Sequence, residues 1–131
     1  MENISISKRE ERITALEILY SCDMNNEYIF LNPTDDYTDY VNELVNYVVA
    51  NLETIDALIS KSLVNYRINR LSYVDRAIIR IATAEMLLKL PVTIAINEAL
   101  EIVKVYSDQG DGAAVRFINK VLDNINKNIE R

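Results

Sequence analysis

Hydrophobic residues return every three or four positions along most of this chain, the spacing that buries one face of an α-helix. In the second half, one such run begins at Ser72, which with Asp75 resembles a capping box that satisfies free amides at a helix start. Pro91 cannot donate a hydrogen bond inside a helix, so this element should end around residues 88–90. The residues at its three- and four-residue steps include one acid among apolar side chains, and they are Val74, Ile78, Ile81, Ala82 and Glu85.

Two more helical runs follow Pro91. A short segment, residues 108–112, lies between them and holds both glycines of the chain, which give a turn its backbone freedom. The faces of the two runs are formed by Ile96, Ala99, Val103 and Tyr106 and by Phe117, Val121, Ile125 and Ile129.

The first half has the same pattern. Ser7 and Glu10 form an S-x-x-E capping box, which predicts a helix start. From residue 37 to 59 the helical spacing continues without glycine or proline, which predicts two helices that bend near residues 51–54. Residues 25–36 are predicted to form a surface loop with room for a short helical turn. No segment alternates as a β-strand does, so we predict an all-α bundle of about six to seven helices.

Composition limits the class of protein. With 131 residues, half of them hydrophobic, one domain can bury roughly two-thirds of its unfolded surface and fold without disulfides. The lone cysteine, Cys22, is expected to be a packed residue and not a reactive thiol. No apolar stretch approaches the ~20 residues that span a bilayer, and residues 1–7 do not resemble a signal peptide. These features predict a cytoplasmic protein.

Catalytic chemistry has little support in this sequence. Without histidine there is no Ser-His-Asp or Cys-His catalysis, and a zinc site lacks its usual ligands. Two aspartate clusters, one at Asp35, Asp36 and Asp39 and one at Asp108 and Asp111, lack the ligand order of a calcium loop and are expected to be solvated. Residues 110–112 lack the strand and lysine of a phosphate-binding loop. We therefore predict no enzyme activity, no metal and no cofactor.

Three segments of the chain form a recognisable set: LSYVDRAIIRIA at 71–82, AINEA at 95–99 and RFINKVLD at 116–123. In sequence, order and spacing they resemble the signature blocks of the NusB family of transcription antitermination factors. The similarity extends upstream through residues 51–63 and more weakly to 15–21. Residues 23–40 have no recognisable counterpart.

The resemblance implies a NusB-like domain over 1–131, with an N-terminal helical half (about 1–66) and a C-terminal helical half (about 67–131). It implies an adaptor that pairs with the small-subunit ribosomal protein NusE. The pair would bind boxA-type single-stranded RNA and modify the elongating RNA polymerase during rRNA synthesis. The fold also serves as an accessory domain of RNA methyltransferases, but 131 residues leave no room for a catalytic domain, so we expect the free-standing factor.

Site residues follow from the same resemblance. The basic residues that meet RNA at the start of the first helix correspond to Lys8, Arg9 and Arg12, which lie within about a third of a turn and could grip one or two phosphates; a solvated helix end is the alternative. Further positions are Tyr20, Tyr106, Arg116 and Phe117, because arginine pairs with phosphate and flat rings stack on unpaired bases. Tyr20 and Phe117 are equally compatible with a place in the core.

The resemblance also implies a protein-binding surface. Asp75 corresponds to a family acid that reaches basic residues of NusE, and Arg76 and Glu85 accompany it. A carboxylate at this place is also simply a good cap for a helix. Asn97, Glu98 and Asn119 are expected to be structural, tying helix ends to backbone through their side chains.

Charge separates this chain from its relatives. The opening segment has five acids against three bases, a net charge of −2, and the whole chain carries −6. Such a protein should bind RNA weakly on its own. The loop before Arg116 is longer than usual, with alanines at 113 and 114 where polar residues are expected. Two interpretations remain: an RNA-binding adaptor completed by NusE, or a protein-binding scaffold with little RNA affinity. The pattern leaves open whether a homodimer precedes the partner.

Overall fold

Helices account for most of the computed structural model, which describes residues 7–33 and 36–129. Asp35 of the first aspartate cluster and residues 1–6 lie outside that part. Within it no strand occurs, so the all-α prediction is confirmed. The elements are α1 (Lys8–Met24), α2 (Asp39–Ala50), α3 (Leu52–Ser62), a 3-10 turn (Ile68–Arg70), α4 (Tyr73–Leu87), α5 (Val92–Tyr106) and α6 (Ala113–Asn128).

The two predicted capping motifs behave differently. At α1 the capping box is complete, because the Ser7 hydroxyl accepts from the Glu10 amide and the Glu10 carboxylate accepts from the Ser7 amide, both at 3.1 Å. At α4 the Ser72 hydroxyl accepts from the Asp75 amide at 3.0 Å. The Asp75 carboxylate instead accepts from the hydroxyl of Ser107, at the end of α5. Asp75 therefore joins two helix ends.

Replacing Ser7 by alanine is expected to lower the free energy of unfolding by about 1 kcal/mol, because the Glu10 amide loses its acceptor at the helix start. Urea unfolding followed by circular dichroism measures the loss. Ser7→Thr keeps the hydroxyl and should restore most of the stability; an equal loss in both variants would contradict a capping role.

The breaks between helices also follow the sequence. The predicted bend is confirmed at Asn51, which stands between α2 and α3 and donates its side-chain amide to the Tyr47 carbonyl at 2.9 Å. The predicted surface loop is confirmed over residues 25–33, which contain no helical turn. Leu31 and the Asn46 side chain exchange two hydrogen bonds, at 2.7 and 3.2 Å, which fix this loop to α2. The 3-10 turn before α4 was not predicted.

Helix α4 is the centre of the bundle and packs against α1, α2, α3, α5 and α6. Every residue from 77 to 86 is buried, including Arg80 and Glu85. A helix surrounded on all sides must bury its whole circumference, so its two charges need partners inside the protein. Among the residues described, no helix combines the length and the apolar composition needed to cross a membrane.

Candidate nucleic-acid interface

An open groove of about 660 Å³ lies where the start of α1 meets the start of α5. Its rim carries Lys8, whose ammonium lies 3.9 Å from the centre of the Tyr40 ring and 3.7 Å from Glu11 Oε1. The Lys8 side chain remains 62% exposed, so its charge is accessible to an anion. The groove is lined by Ser7, Lys8, Arg9, Arg12, Tyr40, Leu90, Ile94 and Glu98.

Arg9 forms a two-pronged ion pair across this groove. Its Nε and Nη2 donate to the two carboxylate oxygens of Glu98, each at 3.0 Å. Hydrogen bonding from Arg9 holds the pKa of Glu98 below its ordinary value, and the Glu98 carboxylate raises the pKa of Arg9. Glu98 was expected to tie a helix end to backbone, but in these contacts its carboxylate accepts from the side chains of Arg9 and Arg12.

Arg12 and Glu85 require a correction, because both were placed on a binding surface. Arg12 Nε donates to Glu85 Oε2 at 2.8 Å, and the two side chains are only 4% and 1% exposed. The Tyr40 hydroxyl donates to the same oxygen, and burial followed by this hydrogen bond raises the pKa of Tyr40. Arg12 therefore cannot grip phosphate, and Glu85 cannot reach a partner protein, without opening the bundle.

A second feature is the tyrosine group, which consists of exposed Tyr20 on α1, Tyr73 on α4 and Tyr106 at the end of α5. The rings of Tyr20 and Tyr73 meet edge to face, with centres 6.1 Å apart, and neither is a core residue. The bond from Ser107 to Asp75 brings the end of α5, with exposed Tyr106, to the start of α4. Tyr20 lies eleven residues after Arg9, close to three helical turns, so the two residues share one face of α1. The face of α1 that carries Arg9 at the groove therefore also carries Tyr20, which packs on Tyr73.

Phe117 and Arg116 lie at the start of α6. Phe117 is half-buried against the core, and its ring packs on Tyr66 with centres 5.3 Å apart. Arg116 is exposed and donates to the Asp111 carbonyl at 3.3 Å. Of these two residues, Arg116 is the one that presents its side chain to solvent.

The aspartates of the α5–α6 loop are not simply solvated. Asp108 Oδ2 accepts from the amides of Gly110 and Gly112, at 3.0 and 3.2 Å, and Asp111 accepts from the Ala113 amide at 3.0 Å. Desolvation raises the pKa of Asp108, but the hydrogen bonds from loop amides outweigh it and lower the pKa below its ordinary value. Hydrogen bonds from backbone amides to its two aspartate carboxylates therefore stabilise the conformation of this loop.

Two residues predicted to bind a partner protein, Asp75 and Arg76, make hydrogen bonds within the fold. Arg76 donates to Asp23 at 2.7 Å and to the Ile68 carbonyl at 3.1 Å, and its side chain is largely buried. Asp75 is half-buried beside Ser107. Both residues lie at the same end of the molecule as the tyrosine group, since Arg76 also lies 5.1 Å from the Tyr73 ring centre.

Comparison with known proteins decides the family. A family model described as the NusB family matches residues 9–127, almost the whole chain. The chain belongs to the NusB family. It is similar to the transcription antitermination protein NusB of Bacillus subtilis (strain 168), with 37% identity over 133 residues, 96% of this chain and 99% of the relative. A NusB of Listeria monocytogenes serotype 4a (strain HCC23) is 38% identical over 126 residues, 92% of this chain and 96% of the relative.

Solved NusB structures share the fold. T. maritima NusB matches with a TM-score of 0.76 and 30% identity, covering 95% of this chain and 94% of that one. A chain from a structure of antitermination factors NusB and NusE in complex with dsRNA matches with a TM-score of 0.76 and 31% identity, covering 92% and 96%. The sequence resemblance to the NusB family and the expected fold are both confirmed.

Two residues of this NusB-family site, and one buried arginine outside it, were missed from the sequence. Tyr40 contacts both Lys8 and Glu85, and Tyr73 contacts Tyr20. Arg80 donates to both oxygens of Asp56, at 2.9 and 2.8 Å, and to the Tyr28 hydroxyl at 2.6 Å. Tyr40 falls in the segment without a family counterpart, so only the folded structure connects it to residue 8.

Proposed function

We propose that this chain is a transcription antitermination factor that pairs with NusE and binds boxA-type single-stranded RNA. One observation carries this assignment: Arg9 and Tyr20 share one face of α1, with Lys8 beside Arg9 at the helix start and Tyr73 of α4 packed on Tyr20. The likeness to a NusB that was solved with NusE and dsRNA supports it.

The dimensions of this face suit a strand of RNA. Eleven residues of α-helix separate Arg9 from Tyr20, about 16 Å at 1.5 Å per residue. A stacked strand that rises about 3.4 Å per nucleotide covers that distance in about five nucleotides. Cations at one end would hold phosphates, and rings at the other would stack on bases. The path of the RNA along these residues would cross both predicted helical halves, because Tyr20 lies before residue 66 and Tyr73 and Tyr106 lie after it.

The net charge of −6 explains why a second protein is needed. A negative protein repels a polyanion at long range, and few of its cations are free to compensate. NusE, docked near Asp75 and Arg76, would supply positive surface and complete the footprint beside Tyr106 and Arg116. The activity is binding, with no catalytic step, on nascent RNA at the elongating polymerase, and therefore in the cytoplasm.

A titration of fluorescently labelled RNA tests this function. Labelled boxA RNA and a scrambled RNA of the same composition are each titrated with the chain, with NusE and with the two together. The mixture is expected to bind boxA at least tenfold more tightly than the scrambled strand, and the chain alone should bind both weakly. If the chain binds NusE but adds no RNA affinity or sequence preference, the scaffold function would replace the one proposed.

A further inference from the structure

The guanidinium of Arg9 is already occupied in the free protein. Its Nε and Nη2 both point at Glu98 carboxylate oxygens, at 3.0 Å each. This fork of parallel donors is the same one that arginine uses to hold a phosphate at two oxygens. RNA phosphate and Glu98 therefore require the same atoms of the same side chain.

We propose that Glu98 is an affinity-determining residue that competes with RNA phosphate for Arg9, an assignment that rests on the proposed function. In the free protein Glu98 neutralises the cation at the groove. When RNA arrives, a phosphate replaces the carboxylate on Arg9. Glu98 thereby lowers the affinity for every RNA strand and leaves discrimination to the rings and to the partner.

The surroundings of the pair allow this exchange. Arg9 and Glu98 keep 47% and 24% of their side-chain surface exposed, so water screens their attraction and can solvate the carboxylate as it leaves. Arg12 Nη1 lies 3.5 Å from Glu98 Oε1, so Glu98 retains a cationic neighbour after it releases Arg9. Arg12 is thus a positioning residue, held by Glu85 and reaching Glu98 from the inside.

The same helix provides a matched control. Glu101 lies one turn after Glu98, keeps 43% of its side-chain surface exposed, and pairs with Lys104 at 2.7 Å. Glu98→Gln and Glu101→Gln remove the same charge from the same helix, but only the first breaks the two-pronged ion pair of Arg9. With NusE present, E98Q is expected to bind both boxA and scrambled RNA about fivefold more tightly than wild type, because phosphate contacts carry no sequence information. E101Q should change the affinity less than twofold.

Two further readouts make the test specific. The slope of log affinity against log salt concentration should be nearly the same in wild type and E98Q, because Arg9 contacts phosphate in both complexes, and it should become shallower by about 0.7 in R9Q, which loses that contact. The double variant R9Q/E98Q should bind no more tightly than R9Q, because the gain depends on the released guanidinium. Thermal unfolding of each variant verifies that the fold is retained.

Several outcomes would overturn this assignment. Equal gains in E98Q and E101Q would mean that net charge alone sets the affinity, and a gain that persists in R9Q/E98Q would exclude Arg9 as the residue released. If wild type binds RNA and E98Q gains no more than E101Q, only the role of Glu98 fails. If neither wild type nor E98Q binds RNA with NusE, the proposed function fails as well.

Discussion

Replacing Arg12 by methionine is expected to lower the free energy of unfolding by about 3–5 kcal/mol, the cost of leaving a buried charge without its partner. Glu85 is 1% exposed, and its Oε1 has no hydrogen-bond partner within residues 7–33 and 36–129. Without Arg12 only the Tyr40 hydroxyl would remain beside the carboxylate. Urea unfolding of wild type and R12M, followed by circular dichroism, measures the difference.

Two controls separate the buried charge from the loss of packing. R9M breaks the exposed pair with Glu98 and should cost at most about 1 kcal/mol, because water solvates both partners. The double variant R12M/E85L removes both buried charges and should regain much of the stability that R12M loses. A loss below about 1 kcal/mol in R12M would show that water reaches Glu85 and would contradict the buried pair.

The second large effect concerns RNA. Replacing Lys8 and Arg9 together by glutamine is expected to weaken binding of boxA RNA by the complex with NusE about 20-fold. The reason is the loss of two charge-assisted phosphate contacts, which together are worth about 2 kcal/mol. The slope of log affinity against log salt concentration should become shallower by about 1.4. Fluorescence anisotropy at several salt concentrations measures both quantities.

A matched variant controls for net charge. Lys61 and Lys127 are exposed at the ends of α3 and α6, where Asn128 contacts Ser62, away from the α1 groove. K61Q/K127Q changes the net charge by the same amount and should alter RNA affinity less than threefold. Equal losses in the two double variants would indicate binding by overall charge and would argue against a defined track along α1.

Local features of the fold were predictable because they depend on residues that are close together in the sequence. The capping box at Ser7, the bend at Asn51 and the helix end before Pro91 each depend on side chains within one or two turns. Such contacts form whatever the rest of the chain does, so their sequence pattern is sufficient. The same reasoning failed for Asp75, whose carboxylate turns to Ser107, 32 residues away.

The charged pairs of the core depend on contacts that sequence spacing does not encode. Arg12 and Glu85 are 73 residues apart, and their burial follows from α4 being enclosed by five other helices. The sequence did contain an indication that Glu85 is buried, because this residue lies on the apolar face of α4. Charges on a face that is otherwise hydrophobic indicate an internal partner more often than a docking surface, because a buried charge must be paired. Arg80 gave the same signal within its apolar run.

The separation of Arg12 and Glu85 along the chain also has a consequence for synthesis on the ribosome. Arg12 emerges early, whereas the acid that neutralises it is translated 73 residues later. Until Glu85 has been translated, burial of Arg12 would leave this arginine without its counter-ion. The first helix therefore cannot pack in its final position. A fragment that begins after residue 66 would have the opposite defect, an acid without its counter-ion. We therefore expect that neither half folds stably on its own. The nascent chain should reach its native packing only after the fourth helix has left the exit tunnel.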